Sequence, residues 1–218
     1  MSLSTDSGFT VDSLGLDPVD AGTSILLTGD DSDALERVFY GLTAPRESER
    51  SVILATDADG RSVKRSVGRV GDATDDGVAV LTGEGVARDD AVTAVDDLGD
   101  LTGLGMQYST LLAETGSETD RFRAGILLCS TIMREIDDTR SVYRFLNSNF
   151  LSELRRSGGL GVCAVDTSAD IGSDVQSTVT GMQTSFSAHI HVEKTGRNAA
   201  TLDVSGLPGE ADSIEVAL

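Results

Sequence analysis

Residues 24–42, SILLTGDDSDALERVFYGL, join a buried strand, a short turn and an amphipathic helix, and this unit constrains the fold most strongly. The continuous apolar run from Ile25 to Leu27 predicts a strand that is covered on both faces. Ser32 or Asp33 is placed to cap the helix that follows. The apolar residues of that helix recur on one side, at Ala34, Leu35, Val38, Phe39 and Leu42. A buried strand followed at once by a helix predicts an α/β fold.

The turn in this unit stands where a phosphate-binding loop, G-x-x-x-x-G-K-[ST], would normally lie. The pattern can be laid over the chain from Gly29. Its second glycine, its lysine and its hydroxyl residue are then replaced by Ala34, Leu35 and Glu36. Three of the intervening positions are aspartates, namely Asp30, Asp31 and Asp33. Because like charges repel, this turn is expected to disfavour a polyphosphate.

The rest of the chain continues the alternation of apolar strands and amphipathic helices. Further strands are predicted at 51–56, 77–81, 122–130 and 160–165, and helices at 101–116, 137–156 and 174–182. A DADG turn at 57–60 precedes a segment of mixed charge, 62–70, with a weaker pattern. Alternating strands at 186–193 and 200–204, joined by KTGRN, predict a hairpin, and 213–217 an added edge.

These elements predict an α/β fold with a mostly parallel mixed sheet, helices on its faces and a C-terminal antiparallel hairpin. Residues 1–22 are rich in Ser, Asp and Gly, and predict an irregular lead-in. Residues 23–218 are then expected to form a single domain, since this length suits one well-buried core.

The charge of the chain is strongly negative. A net charge of -19 arises from 36 acidic and 17 basic residues, and only Lys64 and Lys194 are lysines. The acidic residues are spread along the chain, as expected for a surface adapted to high salt, where charges are well screened. This charge disfavours a nucleic-acid partner. No long apolar run and no signal-peptide pattern occurs, so we expect a cytoplasmic protein with no membrane association.

A magnesium-binding carboxylate is expected after an apolar strand in a nucleotide enzyme. Here the strand residues 125–128 are followed by Cys129, and a neutral thiol is a poor ligand for Mg²⁺. Asp137 and Asp138 come later and are better interpreted as helix-capping charges. The sequence therefore predicts no metal and no cofactor.

The cysteines and histidines offer little further chemistry. Cys129 and Cys163 each lie in an apolar, strand-like run and are interpreted as core residues without a disulfide. His189 and His191, two apart on a strand, should project from one face. Two imidazoles are too few for a typical metal site, although they could form a pH-sensitive patch.

Basic residues gather in two places despite the acidic composition. Arg61, Lys64, Arg65 and Arg69 form a candidate interaction stripe, and a second set comprises Arg134, Arg140, Arg144, Arg155 and Arg156. No aromatic residue interleaves the stripe, as nucleic-acid binding would favour. Pairing with acidic groups of the same chain is the simpler interpretation of both sets.

Three segments carry a specific resemblance: ILLTGDDSDALERVFYGL, DLTGLGMQYSTLL and RAGILLCSTIMREIDDTRSVYRFLNSNFLSELRRSGGLGVCAVD. In this order they resemble the RecA/KaiC-like domain, and more narrowly small haloarchaeal KaiC-like proteins, over roughly residues 24–206. The resemblance implies a RecA-type sheet, and ATP bound between subunits in active members. It implies a degenerate nucleotide site at Gly29, Asp30, Ser32, Ala34, Leu35, Glu36, Cys129 and Ser130. Ser130 would hold the hydroxyl position after the lost carboxylate.

The function that we predict from these observations is binding without catalysis. The chain would be a pseudo-ATPase that regulates or scaffolds, through contacts with a protein partner or with copies of itself. One alternative is an ATPase with a relocated lysine, for which Lys64 is the only internal donor that we considered plausible. Another is a nucleic-acid-associated regulator that uses the stripe from Arg61 to Arg69, and its binding should depend steeply on salt.

Overall fold

A computed structural model describes residues 8–70, 77–84, 91–95, 97–119, 121–136, 138–172, 174–209 and 213–218. The strands are β1 (Phe9–Val11), β2 (Leu16–Val19), β3 (Ser24–Gly29), β4 (Arg50–Asp59), β5 (Val78–Glu84), β6 (Val92–Ala94), β7 (Phe122–Leu127), β8 (Leu160–Asp166), β9 (Ala188–Gly196), β10 (Ala199–Ser205) and β11 (Ser213–Ala217). The α-helices are α1 (Ser32–Thr43), α2 (Gly60–Val70), α3 (Leu101–Glu118), α4 (Cys129–Glu135), α5 (Thr139–Phe145), α6 (Ser152–Ser157) and α7 (Val175–Gln183).

Nine of the strands in the described ranges form one sheet in the order β11-β10-β9-β3-β8-β7-β4-β5-β6. The seven strands from β9 to β6 run parallel to one another. Strand β10 pairs antiparallel with both β9 and β11. The predicted fold class is therefore confirmed: a mixed, mostly parallel sheet with a C-terminal antiparallel strand pair. Parallel neighbours require crossover connections, which the helices supply.

The central strands are buried on both faces, as their continuous apolar runs predict. In β3, Ile25 and Leu27 pack on the side of the sheet covered by α1 and α2. Leu26 points to the other side, where the core includes Tyr108 of α3 and Phe150. This alternation follows from the two-residue period of a strand.

Three element predictions need correction. The prediction of a DADG turn at 57–60 is wrong, because β4 continues to Asp59 and α2 begins at Gly60. The strand predicted at 122–130 ends at Leu127, since Leu128 adopts a left-handed conformation (φ 53°) and α4 begins at Cys129. The helix predicted at 137–156 consists of α5, a π-helical segment (Leu146–Leu151) and α6. Asp138 caps α5, as predicted, whereas Asp137 lies outside the described residues.

The irregular lead-in predicted for 1–22 is also corrected, for its described part. Strands β1 and β2 form an antiparallel pair around a 3-10 turn (Asp12–Leu14). The pair is held to the main sheet by Arg123 of β7, which donates to the Thr10 carbonyl at 2.8 Å and to Glu49 Oε2 at 2.6 Å. Arg121 donates to the Gly8 carbonyl at 2.7 Å. Local pattern could not predict this order, because arginines distant in sequence impose it.

Candidate functional site

The carboxyl ends of β3, β8 and β7 lie side by side in the sheet and carry most of the predicted site residues. In open α/β sheets, ligands bind in the crevice outside the carboxyl ends of the strands. Gly29 ends β3, Asp166 ends β8, and Cys129 follows β7. The chain leaves β3 through α1 and enters β4, which lies on the β8 side of β3 in the sheet. The later strand β9 lies on the opposite side of β3. The direction in which strands are added to the sheet therefore reverses at β3.

The turn after β3 is much shorter than a phosphate-binding loop. Only Asp30 and Asp31 separate β3 from α1, which begins at Ser32. In the eight-residue pattern that starts at Gly29, the last five positions are therefore helical. A phosphate-binding loop needs those positions to present successive backbone N–H groups to the ligand. Gly29 is needed for close packing instead, because a Cβ at this residue would lie 2.9 Å from the Val192 carbonyl oxygen.

The N-terminus of α1 is occupied by a carboxylate of the chain itself. Asp31 is the N-cap residue, and its Oδ1 accepts a hydrogen bond of 2.9 Å from the Ala34 N–H. Its Oδ2 accepts one of 2.8 Å from Lys194 Nζ, which reaches across from β9. The hydrogen bond from Lys194, followed by that from the Ala34 N–H, lowers the pKa of Asp31. A negative group at a helix N-terminus also complements the helix dipole.

The expectation that Lys64 is the only plausible internal lysine donor is wrong. Lys64 lies on α2, whereas Lys194 contacts the turn that follows β3. The sequence did show that only two lysines exist. It did not show that β9 lies next to β3, which is what brings Lys194 to Asp31.

Asp166 links two of the predicted site residues, and sequence reasoning missed it. Ser32 Oγ donates to Asp166 Oδ2 at 2.7 Å, and the Asp166 N–H donates to Ser130 Oγ at 3.3 Å. Ser168 Oγ donates to the other carboxylate oxygen at 2.6 Å. The available signal was an aspartate at the end of the apolar strand GVCAVD, the location where site residues of parallel sheets gather.

The side chains at the lost motif positions do not face this crevice together. Ala34 and Leu35 are fully buried and pack in the core beneath α1. Glu36 lines a cavity on another side of α1. Burial, followed by the charges of Asp57 and Asp33, raises the pKa of Glu36. A ligand at the turn would therefore meet none of these three side chains in the role of a lysine or a magnesium ligand.

Cys129 is also buried and does not line the crevice. It is fully buried at the start of α4. Burial, followed by the neighbouring Cys129, raises the pKa of the Cys163 thiol of β8. Both cysteines are free, as predicted, although Cys129 lies in a helix and not in a strand.

His189 and His191 face the same side of β9, as their spacing predicts. Thr28 Oγ1 lies 2.8 Å from His189 Nε2 and 3.1 Å from His191 Nδ1. Gln183 Nε2 lies 3.0 Å from His189 Nδ1. Burial, followed by the charge of His191, lowers the pKa of His189. Within the described ranges, no group of three or more His, Cys, Asp or Glu side chains could hold a metal ion.

The basic stripe lies on α2, at a distance along the chain from the turn. Its four residues recur at helical spacing and share one side of the helix, opposite the buried Val63 and Val67. Arg61, Arg65 and Arg69 are exposed. The nearby positive charge of Arg65 contributes to lowering the pKa of Asp59, after the hydrogen bonds from Ser62 and Arg61. The structure thus brings the stripe residues together on one surface.

The sheet order, the flanking helices and the C-terminal strand pair define the class of the protein: its fold is a RecA/KaiC-like α/β fold. A solved structure with a similar fold is that of the KaiC-like protein PH0186 from the hyperthermophilic archaeon Pyrococcus horikoshii OT3, with a TM-score of 0.56 and 11% sequence identity. The similarity covers 93% of this chain and 87% of that one, and at this identity it concerns the fold alone.

The family model of DUF7504, a family of unknown function, matches residues 22–192. The chain belongs to this family. No protein with a curated description matches it. None of the helices that the structure describes is both long enough and apolar enough to cross a membrane.

Proposed function

We propose that this protein is a catalytically inactive, KaiC-like member of the RecA fold class that acts as a regulatory or scaffold protein. One observation carries the proposal. The place at the N-terminus of α1 that a nucleotide phosphate would take is filled by the Asp31 carboxylate, which is neutralised by Lys194. The helix start therefore has an anion and a counter-ion of its own.

The electrostatics of the turn support this proposal. An incoming phosphate would have to displace Asp31 from the Ala34 N–H, and would meet the negative charges of Asp30 and Asp166 nearby. These like charges repel a phosphate at the turn. The short turn also leaves few N–H groups free to replace the lost lysine. Phosphate binding is therefore disfavoured by charge and by backbone geometry at once.

The magnesium position gives independent support. The position near the end of β7 that should carry a carboxylate is Cys129, two residues after the strand, and its side chain is fully buried. Mg²⁺ prefers oxygen ligands and keeps several waters, so a buried thiol cannot serve it. In the proposed function, the protein keeps the frame of an ATP-dependent machine and uses its surfaces for association. Adaptation to high salt, proposed from the acidic composition, means that this association would operate at high salt.

The direct test is equilibrium dialysis of the full chain against radiolabelled ATP and Mg²⁺ in molar KCl, with phosphate release measured in parallel. We expect neither saturable binding nor turnover. Micromolar binding accompanied by turnover would overturn the proposal.

The proposed partner contact is the α2 stripe, and its partner is a protein surface or a second copy of the chain. We expect the double variant Arg61→Glu and Arg65→Glu to reduce association, measured by light scattering at molar KCl. Arg140→Glu, an exposed arginine on α5, is the matched control and should have no effect. Equal effects of the two charge reversals would contradict a specific role for the stripe.

A second candidate function is nucleotide binding with a relocated lysine, and the position of Lys194 favours it. In this candidate, Lys194 would release Asp31 and pair with a phosphate at the same turn. The two lysines of the chain provide a matched pair of variants. If ATP binding occurs, Lys194→Ala should abolish it and Lys64→Ala should leave it unchanged. Loss with Lys64→Ala alone would reject the role of Lys194.

A further inference from the structure

A cavity of about 390 Å³ lies between α1, α2 and the 3-10 turn near the N-terminus. The α1 residues that line it include Glu36, Tyr40 and Gly41, whereas Leu35 and Phe39 pack against the sheet. The cavity is thus on the side of α1 directed toward α2. Its volume falls within the range of small-molecule sites and exceeds by more than twofold the roughly 150 Å³ cavity that accepts benzene.

The cavity is lined by apolar and polar groups together. Leu14 and Val70 contribute apolar surface. The Tyr40 side chain is buried in the cavity wall. Burial, followed by the charges of Glu36 and Asp57, raises the pKa of Tyr40, which is therefore neutral at physiological pH. Ligand sites combine apolar surface with a few placed polar groups in this way.

One charged side chain of each sign on the cavity wall has no ion-pair partner among the residues that the structure describes. Arg37 forms an ion pair with Asp33 at 3.3 Å, which satisfies both groups. Glu36 is half-buried and forms no hydrogen bond or ion pair there, and it faces the like charges of Asp57 and Asp33. Arg69, on α2, likewise has no ion-pair partner within the described ranges.

A ligand that carries both charges would satisfy both groups. An ammonium group beside Glu36 would give that half-buried carboxylate a counter-ion. An anionic group beside Arg69 would gain a charge-assisted hydrogen bond. Two uncompensated charges of opposite sign in one cavity thus favour a zwitterion over a ligand with a single charge.

We propose that this cavity binds a zwitterionic ligand of about dipeptide size, with its ammonium group at Glu36, its carboxylate at Arg69 and its apolar body on Leu14 and Val70. This site is separate from the turn after β3, but Arg69 also belongs to the α2 stripe of the proposed partner contact. The two proposals can still be tested apart, because Arg61 and Arg65 of the stripe lie outside the cavity. The chemistry identifies the ligand class as a short apolar peptide with free termini.

The first experiment compares three probes by isothermal titration calorimetry at molar KCl. The dipeptide Leu-Leu has both charges, N-acetyl-Leu-Leu lacks the ammonium group, and Leu-Leu amide lacks the carboxylate. We expect Leu-Leu to bind and each analogue to bind about tenfold more weakly or worse, as the loss of a charged hydrogen bond implies. Absence of Leu-Leu binding, or equal binding of all three probes, would overturn the proposal.

The second experiment assigns the two charges to their residues. Glu36→Gln should weaken Leu-Leu about tenfold and leave N-acetyl-Leu-Leu unchanged, because the partner of Glu36 is absent from that probe. Arg69→Gln should weaken Leu-Leu and leave Leu-Leu amide unchanged. Arg61→Gln, on the same side of α2 but outside the cavity, is the matched control. Binding that survives both cavity variants would overturn the site.

Discussion

The buried ion pair between Glu49 and Arg123 allows a quantitative prediction of stability. The side chains of Arg123 and Glu49 are 0% and 3% exposed. Arg123 donates to Glu49 Oε2 at 2.6 Å, and also to the Leu42 and Thr10 carbonyl oxygens at 2.9 and 2.8 Å. Glu49→Gln keeps the shape of the side chain but leaves the guanidinium charge buried without a counter-ion. We expect a loss of about 3–5 kcal/mol in the free energy of unfolding.

The assay is urea unfolding in molar KCl, and an exposed ion pair serves as the control. Arg50 and Glu118 lie 3.1 Å apart with side chains 45% and 54% exposed. Glu118→Gln should therefore cost about 1 kcal/mol or less. The cost of Glu49→Gln should also change little between 1 and 3 M KCl, because a buried pair is weakly screened. Equal costs for the two substitutions would refute the reasoning.

Acid should reproduce the loss of this pair. Burial raises the pKa of Glu49, but the hydrogen bond and charge of Arg123, with the other hydrogen bonds to the carboxylate, outweigh it, so the pKa is lowered overall. A carboxylate with a lowered pKa contributes stability that is present above its unfolded pKa, ordinarily 4.5. That contribution should be lost as the pH falls through the folded pKa. The acid loss should be smaller in Glu49→Gln, and an unchanged pH profile would count against this assignment.

Three further predictions concern glycine and histidine positions. Gly125→Ala should destabilise by about 1–3 kcal/mol, because a Cβ would overlap the Phe39 ring and lie 2.9 Å from a Thr43 methyl group. Gly68→Ala in α2 should instead stabilise by about 0.5–1 kcal/mol, since nothing lies within 4 Å and alanine favours a helix; urea unfolding checks both signs. Because the pKa of His189 is lowered below 6.5, stability should fall as the pH drops below 6.5, and the fall should shrink in His189→Asn. A profile that His189→Asn leaves unchanged would assign that fall to other groups.

The order of strands and helices was largely predictable from the sequence. Continuous apolar runs identified the buried strands, and helical spacing identified α1, α3 and α7, because both patterns depend on neighbouring residues only. The errors fell where local pattern is weak or misleading. Helix α2 was not predicted, because it buries only two valines and a glycine among charged residues. The strand β7 was predicted too long, because the apolar residues after Leu127 continue its pattern although Leu128 adopts a left-handed conformation and α4 begins at Cys129.

The candidate site was predictable in part. Comparison with a phosphate-binding pattern directed attention to Gly29, which ends β3. The prediction that Ser32 or Asp33 caps α1 is wrong, because Asp31 is the N-cap and the helix begins at Ser32. The comparison did not predict that the turn has only two residues, because loop length depends on where the helix begins. It also missed Asp166, and with it the link from Ser32 to Ser130.

The sequence by itself determined the alternation of strands and helices, the acidic composition and the difference between the turn after Gly29 and the phosphate-binding pattern. Only the tertiary structure decided that Lys194 pairs with Asp31, 163 residues away, and that Asp166 accepts from Ser32, 134 residues away. The physical reason is that periodicity records which face of an element is buried, whereas the neighbours of a strand depend on how the whole sheet is ordered. The contacts of Asp31 and Asp166 arise from that order.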